Sequence, residues 1–215
     1  MKYDLILYDL DGTVWDSIPM IMKCFKHAYI EVMGKCERSD EDLKSYIGRP
    51  LVETFAMHDE ETSQALLKSY LALNGKLLEN DDIELFDGVG DELKKIKEMG
   101  IPQGVVTSKR IVSASVTLRF KHLDDFFDVY ICKEDTEKHK PDPEPLMLAA
   151  KRLGITDMSR VIYIGDAIPD ALCAKNAGCG FALVEWSQMD HDAVLAAAPS
   201  GSRIIKKFSD VLDMN

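Results

Sequence analysis

Leu5-Ile6-Leu7-Tyr8-Asp9-Leu10-Asp11-Gly12-Thr13 is the stretch on which the reading of this 215-residue chain turns. Its apolar run predicts a buried strand, and the strand ends in two acids one residue apart. Side chains alternate along a strand, so Asp9 and Asp11 start on the same side before Gly12 bends the backbone. Carboxylates held together at a strand end repel, and removing them from water strengthens the repulsion. A cation or a shared proton resolves the conflict, and a hard divalent ion bound through oxygen, such as Mg2+, is the expected resolution. Standing alone, an Asp-x-Asp-Gly is more often a solvated turn, because turns favour Asp and Gly. Three later features, each at the end of its own expected strand, reverse those odds.

Downstream of Thr13 the apolar positions fall into helical steps. Ile18, Ile21, Met22, Phe25, Ala28, Tyr29 and Val32 form one stripe that ends near Gly34. Ser39 with Asp42 predicts a second helix start, and Ile47-Gly48-Arg49-Pro50 a tight turn between helices. A further helix is expected from about Glu60 to Leu73, and no strand between Val14 and Asp82. Glu79-Asn80-Asp81-Asp82 then returns the chain to Phe86-Asp87-Gly88-Val89.

From there short apolar runs alternate with helices. Strands are expected at 104–106, 128–132, 161–164 and 181–184, and helices at 90–99, to about Phe120, at 143–153 and at 167–177. This alternation predicts an α/β fold with a mainly parallel sheet covered by helices on both faces. Ligands of such sheets bind beyond the carboxyl ends of the strands. Thr107-Ser108 and Gly165-Asp166 fall at those ends. Gly88-Val89-Gly90 lacks a third glycine and reads as a turn.

Composition narrows the function classes. Apolar residues are 46% and charged residues 29%, as in an ordinary globular protein. A net charge of −11 without a block of like charges argues against non-specific nucleic-acid binding and against docking on an anionic membrane. No run of about 18 apolar residues occurs, so no membrane-spanning helix is expected. Met1-Lys2-Tyr3-Asp4 enters the strand without a basic, apolar or cleavable leader. Cys24, Cys36, Cys132, Cys173 and Cys179 are an odd number without a Cys-x-x-Cys pair, which predicts reduced thiols in a cytoplasmic protein. The five histidines are scattered, so carboxylates must build any metal site.

Four elements stand in order: Asp9-Leu10-Asp11-Gly12-Thr13, Val105-Val106-Thr107-Ser108, Lys140-Pro141, and Gly165-Asp166-Ala167-Ile168-Pro169-Asp170. This set closely resembles the haloacid dehalogenase superfamily, in particular its capped, phosphoglycolate phosphatase-like Mg2+ phosphatases. Each motif is weak by itself; the ordered set is specific and spans nearly the whole chain. The resemblance implies a Rossmann-like doubly wound core of residues 1–14 and 85–215, with a smaller all-helical cap domain, 15–84, inserted after the first strand.

It implies the chemistry too. Asp9 matches the nucleophile, whose carboxylate attacks phosphorus and carries an aspartyl-phosphate. Asp11 matches the residue that protonates the leaving oxygen and then takes a proton from the attacking water. Gly12 lets the backbone approach the phosphoryl oxygens, to which Thr107 offers its hydroxyl and Ser108 its amide. Thr107-Ser108 reads equally well as a helix cap, and both roles can hold at once. Lys133, Lys138 and His139 crowd the loop of Lys140, but the Lys-Pro pair singles out Lys140 as the cation that offsets the phosphoryl charge. By resemblance Mg2+ takes the carboxylates of Asp9 and Asp166 and the main-chain carbonyl of Asp11. Asp170, one helical turn beyond Asp166, completes the acidic metal site by holding a metal-bound water or Lys140. Arg49, in the helical insert, is a candidate for the substrate's distal group.

The expected activity is hydrolysis of a small phosphorylated metabolite by a cytoplasmic monomer or homodimer. Phosphoglycolate, a nucleoside 5′-monophosphate (a 5′-nucleotidase), a sugar phosphate or pyrophosphate (a pyrophosphatase) all suit the scaffold. A phosphosugar mutase of the β-phosphoglucomutase type is the main alternative, although no cluster of cations stands near Asp16 and Ser17 to grip a second phosphate. Dehalogenase chemistry has no use for Asp11 or Asp166. A catalytically idle binding protein has no feature in its favour.

Overall fold

The computed structural model describes residues 3–47, 49–79 and 83–214. The chain divides into two compact units, Met1–Trp15 with Leu85–Asn215, and Asp16–Glu84. Strand β1 is Leu5–Tyr8, and the two-residue β2 is Trp15–Asp16. Helices α1 (Ile18–Met33), α2 (Asp40–Lys44), α3 (Leu51–Phe55) and α4 (Glu60–Glu79) follow, and then the equally short β3, Glu84–Leu85. β2 and β3 pair where the chain leaves the larger unit and returns to it. Trp15 belongs with the larger unit because its indole N–H donates to Asp11 Oδ1 at 2.7 Å.

β2 lies within the stretch where no strand is expected, its two residues being too few to make an apolar run; apart from Asp16 and Glu84 at its ends, the elements of the smaller unit are helices among the described residues. α1 packs on α4, and Phe25 centres an aromatic cluster with Tyr70 (4.9 Å between ring centroids) and Phe55 (5.8 Å). Ser39 opens α2 with a reciprocal cap, its hydroxyl accepting from the Asp42 amide. α4 runs beyond Leu73 to Glu79, because Leu77 and Leu78 continue the buried stripe. Gly48 and 80–82, in the expected turn and return segment, lie outside the described residues.

The larger unit continues with α5 (Val89–Glu98), β4 (Gln103–Val106), α6 (Ile111–Phe120), β5 (Val129–Ile131), α7 (Glu144–Arg152), β6 (Val161–Gly165), α8 (Ile168–Ala177), β7 (Gly180–Val184), α9 (His191–Ala197) and β8 (Arg203–Ile205). Its six-stranded sheet has the order β5-β4-β1-β6-β7-β8 and every pairing is parallel. β1 is central, and all four of its side chains are buried, as two covered faces require. Leu5 and Leu7 join the core formed with α7, α8 and α9 through Leu146, Ala149, Ala171, Ala174 and Val194. Tyr8 points to the other face, against Phe127 and Phe208, with its hydroxyl donating to Gln103 Oε1 at 2.7 Å. In chain order the sheet grows from β1 to β4 and β5 on one side and then crosses to β6, β7 and β8 on the other, and this reversal opens a crevice at the carboxyl end of β1.

β7 is not the last strand, as the sequence reading had it. β8 follows, with Arg203 and Ile204 exposed and Ile205 alone buried. A three-residue edge strand with one buried side chain makes no apolar run to detect. Among the described residues no helix is long and apolar enough to cross a membrane.

Candidate active site

Asp9 follows β1 directly, and its amide donates to the carbonyl of Ile164 in β6 at 2.9 Å. It is therefore held at the crevice by the sheet's own hydrogen bonding. Asp166 follows β6, and Asp170 occupies the first turn of α8 behind Pro169. One carboxylate oxygen from each of Asp9, Asp166 and Asp170 lies within 4.8 Å of the others, and all three residues are buried. Two glycines make the approach possible. A side chain on Gly12, which has a φ of +81°, would overlap the carboxylate of Asp166, reaching 2.7 Å from its Cγ. One on Gly165 would lie 2.6 Å from the Cβ of Asp170.

Lys140 supplies the counter-charge. Its ammonium lies 3.0 Å from Asp9 Oδ1 and donates to Asp170 Oδ1 at 2.6 Å and to the Tyr163 hydroxyl at 3.0 Å. Tyr163 in turn donates to the Val106 carbonyl at 2.8 Å, which ties the lysine to the end of β4. The other oxygen of Asp170 accepts from the amides of Ala167 at 3.1 Å and Asp166 at 3.4 Å. Asp170 thus holds Lys140 with one oxygen and the start of α8 with the other.

Burial dominates the electrostatics. It pushes Asp9 up to about 7; Lys140 pulls the other way, and Asp170 and Asp11 add to the rise. Asp166 is driven well above the carboxylate range, first by burial and then by Asp170 and Asp9. Burial works against the charge on Lys140, but Asp170 and Asp9 more than offset it, so its pKa is raised and it stays an ammonium. Carboxylates in this state demand a cation or a proton.

Asp11 stands slightly apart, with 22% of its side chain exposed. Lys109 Nζ donates to both of its oxygens, at 2.9 and 3.1 Å. Thr107 is buried at the end of β4, where its amide donates to Ile131 O at 2.9 Å and its hydroxyl accepts from the Lys109 amide at 3.2 Å. Thr107-Ser108 is not the cap of the following helix. α6 begins at Ile111, whose amide donates to Glu134 Oε2 at 2.9 Å, so a carboxylate from the loop after β5 caps it. Two acids of the 133–139 loop, Glu134 and Asp135, serve in this way, and Glu144 of α7 holds the loop's backbone. Asp135 accepts from the Cys132 amide and from Arg152, and Glu144 accepts from the amides of Glu137 and Lys138. Lys138 is exposed and lies 3.6 Å from Asp142.

The structure thus gathers Asp9, Asp166, Asp170 and Lys140 at one strand-end crevice, with Thr107 and Ser108 beside Lys140 around a small cavity and Asp11 at the margin. Arg49 lies in the other unit, exposed, with its amide bonded to Tyr46 O at 3.2 Å. Sequence reasoning missed four supports: Lys109, Tyr163, Thr13 and Trp15. Thr13 is wholly buried, donates to Asp166 Oδ1 at 3.5 Å, and accepts at its carbonyl from Trp186 Nε1 at 3.1 Å.

Comparisons with known proteins identify the family. Residues 6–184 match the model of the haloacid dehalogenase-like hydrolases, and the chain belongs to that family. A Clostridium perfringens protein bearing the name "Putative pyrophosphatase PpaX" is 38% identical over 209 residues, covering 97% of this chain and 95% of its own. The pyrophosphatase PpaX of Bacillus velezensis is 33% identical, with 96% and 94% covered. A Bacteroides fragilis crystal structure described as "Putative haloacid dehalogenase-like hydrolase" superposes with a TM-score of 0.84 at 30% identity, covering 98% of this chain and all of the other.

Proposed function

We propose that the chain is a Mg2+-dependent phosphohydrolase that carries the phosphoryl group on Asp9, with inorganic pyrophosphate as its substrate ahead of phosphomonoesters such as phosphoglycolate. The observation that carries the chemistry is the buried floor in which Lys140 bridges Asp9 and Asp170 beside Asp166. The relatives named pyrophosphatases support the substrate.

The residues fit a hard cation. All the donors are oxygens, Asp9 Oδ1 is buried facing the Lys140 ammonium at 3.0 Å, and Gly12 leaves its side-chain space to the Asp166 carboxylate. Asp9, Asp166 and the carbonyl of Asp11 would hold Mg2+, with Asp170 behind them. When bound, the ion would polarise the phosphoryl oxygens and relieve the repulsion among the carboxylates.

Asp9 attacks phosphorus; its carboxylate oxygen forms the new bond as the bond to the leaving oxygen breaks and that oxygen keeps the electron pair. Asp11 protonates the leaving oxygen, then takes a proton from the water that cleaves the Asp9 ester. Thr107, whose hydroxyl already accepts from Lys109, keeps its own O–H to donate to a phosphoryl oxygen, and the Ser108 amide donates beside it. Lys140 balances the charge gathering at Asp9. Arg49 would read the distal end of the substrate, and the enzyme would act in the cytoplasm.

The test is kcat/KM on pyrophosphate, phosphoglycolate, a nucleoside 5′-monophosphate and a sugar phosphate, each with and without Mg2+. Pyrophosphate should be hydrolysed fastest, and only with the ion. A preferred monoester would replace the substrate but leave the mechanism, whereas turnover only with a sugar bisphosphate activator would make the protein a mutase. Inertness toward every ester with Mg2+ supplied would end the reading.

A further inference from the structure

We propose that Lys109 is a positioning residue for the proton-transfer step, fixing the carboxylate of Asp11 where it meets the leaving group. The inference rests on the acid–base reading of Asp11 given above and adds a residue that the motifs do not name. Lys109 is no solvated surface lysine. Its side chain is 8% exposed, and its ammonium bonds both oxygens of Asp11, at 2.9 and 3.1 Å. Trp15 completes the grip: its indole N–H reaches Asp11 Oδ1 at 2.7 Å, and its ring lies 5.8 Å from the same ammonium.

The backbone of Lys109 is fixed as firmly as its tip. Its amide donates to Thr107 Oγ1 at 3.2 Å, and its carbonyl accepts from the Lys133 amide at 3.0 Å. Two residues on, Glu134 takes the first amide of α6 at 2.9 Å. The lysine is therefore anchored to the same turn that presents Thr107, and through its ammonium it sets Asp11 against that turn. A buried ion pair contributes little net stability compared with apolar packing of the same volume. What it does supply is geometry, and a proton relay fails when its carboxylate is misplaced by about 1 Å.

Lys109→Met keeps the length and apolar stem of the side chain while removing the ammonium, and Lys109→Arg restores a charge able to bond both oxygens. With pyrophosphate and Mg2+, Lys109→Met should lower kcat about 10- to 100-fold, no more than the lower end of a full general acid–base contribution because Asp11 is misplaced and not removed, while KM changes less than about threefold. Lys109→Arg should recover most of the loss. In an Asp11→Asn background, Lys109→Met should cost nothing further, because a residue acting through another has no effect once that other is gone. An equal further loss in that background, a change in KM alone, or full activity in Lys109→Met would each overturn the proposal. If Asp11→Asn alone turned over at the parent rate, the acid–base reading would fall and this inference with it. A slow Asp11→Asn beside a fully active Lys109→Met would overturn the inference only.

Discussion

Asp9 is set apart by the company it keeps. A solvated aspartate would be a weak and well-hydrated nucleophile; here burial lifts it to about 7 while Lys140, 3.0 Å away, favours the charged form. Asp9→Asn removes the attacking carboxylate, and turnover should drop by at least about 1000-fold, in the range seen when a nucleophile is deleted. Asp9→Asn at the parent rate would place the chemistry elsewhere. Asp11→Asn should slow turnover while leaving Mg2+ binding in place, which a metal titration read alongside the rate would reveal. Gly12 offers a test of the floor itself. Gly12→Ala must tolerate both a φ of +81° and a methyl group overlapping the Asp166 carboxylate. Strain of that kind costs about 1–3 kcal/mol, so the variant should unfold at lower denaturant and bind Mg2+ more weakly. Unchanged Mg2+ affinity would show that Asp166 can move aside without consequence.

At the scale of elements, the parallel sheet does the assembling. β1 lies between β4 and β6, so residues that end the three strands come together although they are far apart in sequence. The helix after β4 shows how a loop contributes. Arg110 at the start of α6 has no side-chain cap, and Glu134 from the 133–135 turn accepts the Ile111 amide instead. Glu134→Ala should therefore cost about 1 kcal/mol, the usual worth of a lost N-cap, read from a shift in the denaturation midpoint. Activity should fall in parallel, because the same turn carries Thr107 and Lys109. A stability loss with full activity would show that the site is held without this cap.

For the whole molecule, acidic repulsion and metal binding are linked through stability. Below about pH 4 Asp9 is protonated in both folded and unfolded chains and contributes nothing. Between about pH 4 and its native value near 7, the unfolded chain loses this proton while the native site keeps it. The native state then binds more protons, so stability of the metal-free protein falls as pH rises through that window. Asp166, also raised by burial, adds to the same trend. A bound divalent ion would take the protons' place, so on the proposed function Mg2+ should raise Tm more at pH 8 than at pH 5. Thermal melts with EDTA and with Mg2+ at both pH values measure this, and equal shifts would mean that the trio does not bind the ion.

Residue order alone was enough for the central strand, the parallel core, the helical insert and the four short stretches that meet at the crevice. Those features are local: an apolar run, a period of two or of 3.6, a glycine or acid at a strand end. Asp9, Thr107 and Asp166 were legible because each sits at a strand end, Asp170 because it lies one helical turn beyond Asp166, and Lys140 only through the resemblance carried by its Lys-Pro pair. β8 was not, since Ile205 is its one buried side chain, and the start of α6 was not, since its cap comes from Glu134 in a later loop. Lys109 illustrates the limit best: nothing in Thr107-Ser108-Lys109 distinguishes it from a surface lysine, and its partner lies 98 residues away. Only folding the sheet brings Asp11, Trp15 and Lys109 together, because a charge's environment is set by what surrounds it in space and not by what precedes it in the chain.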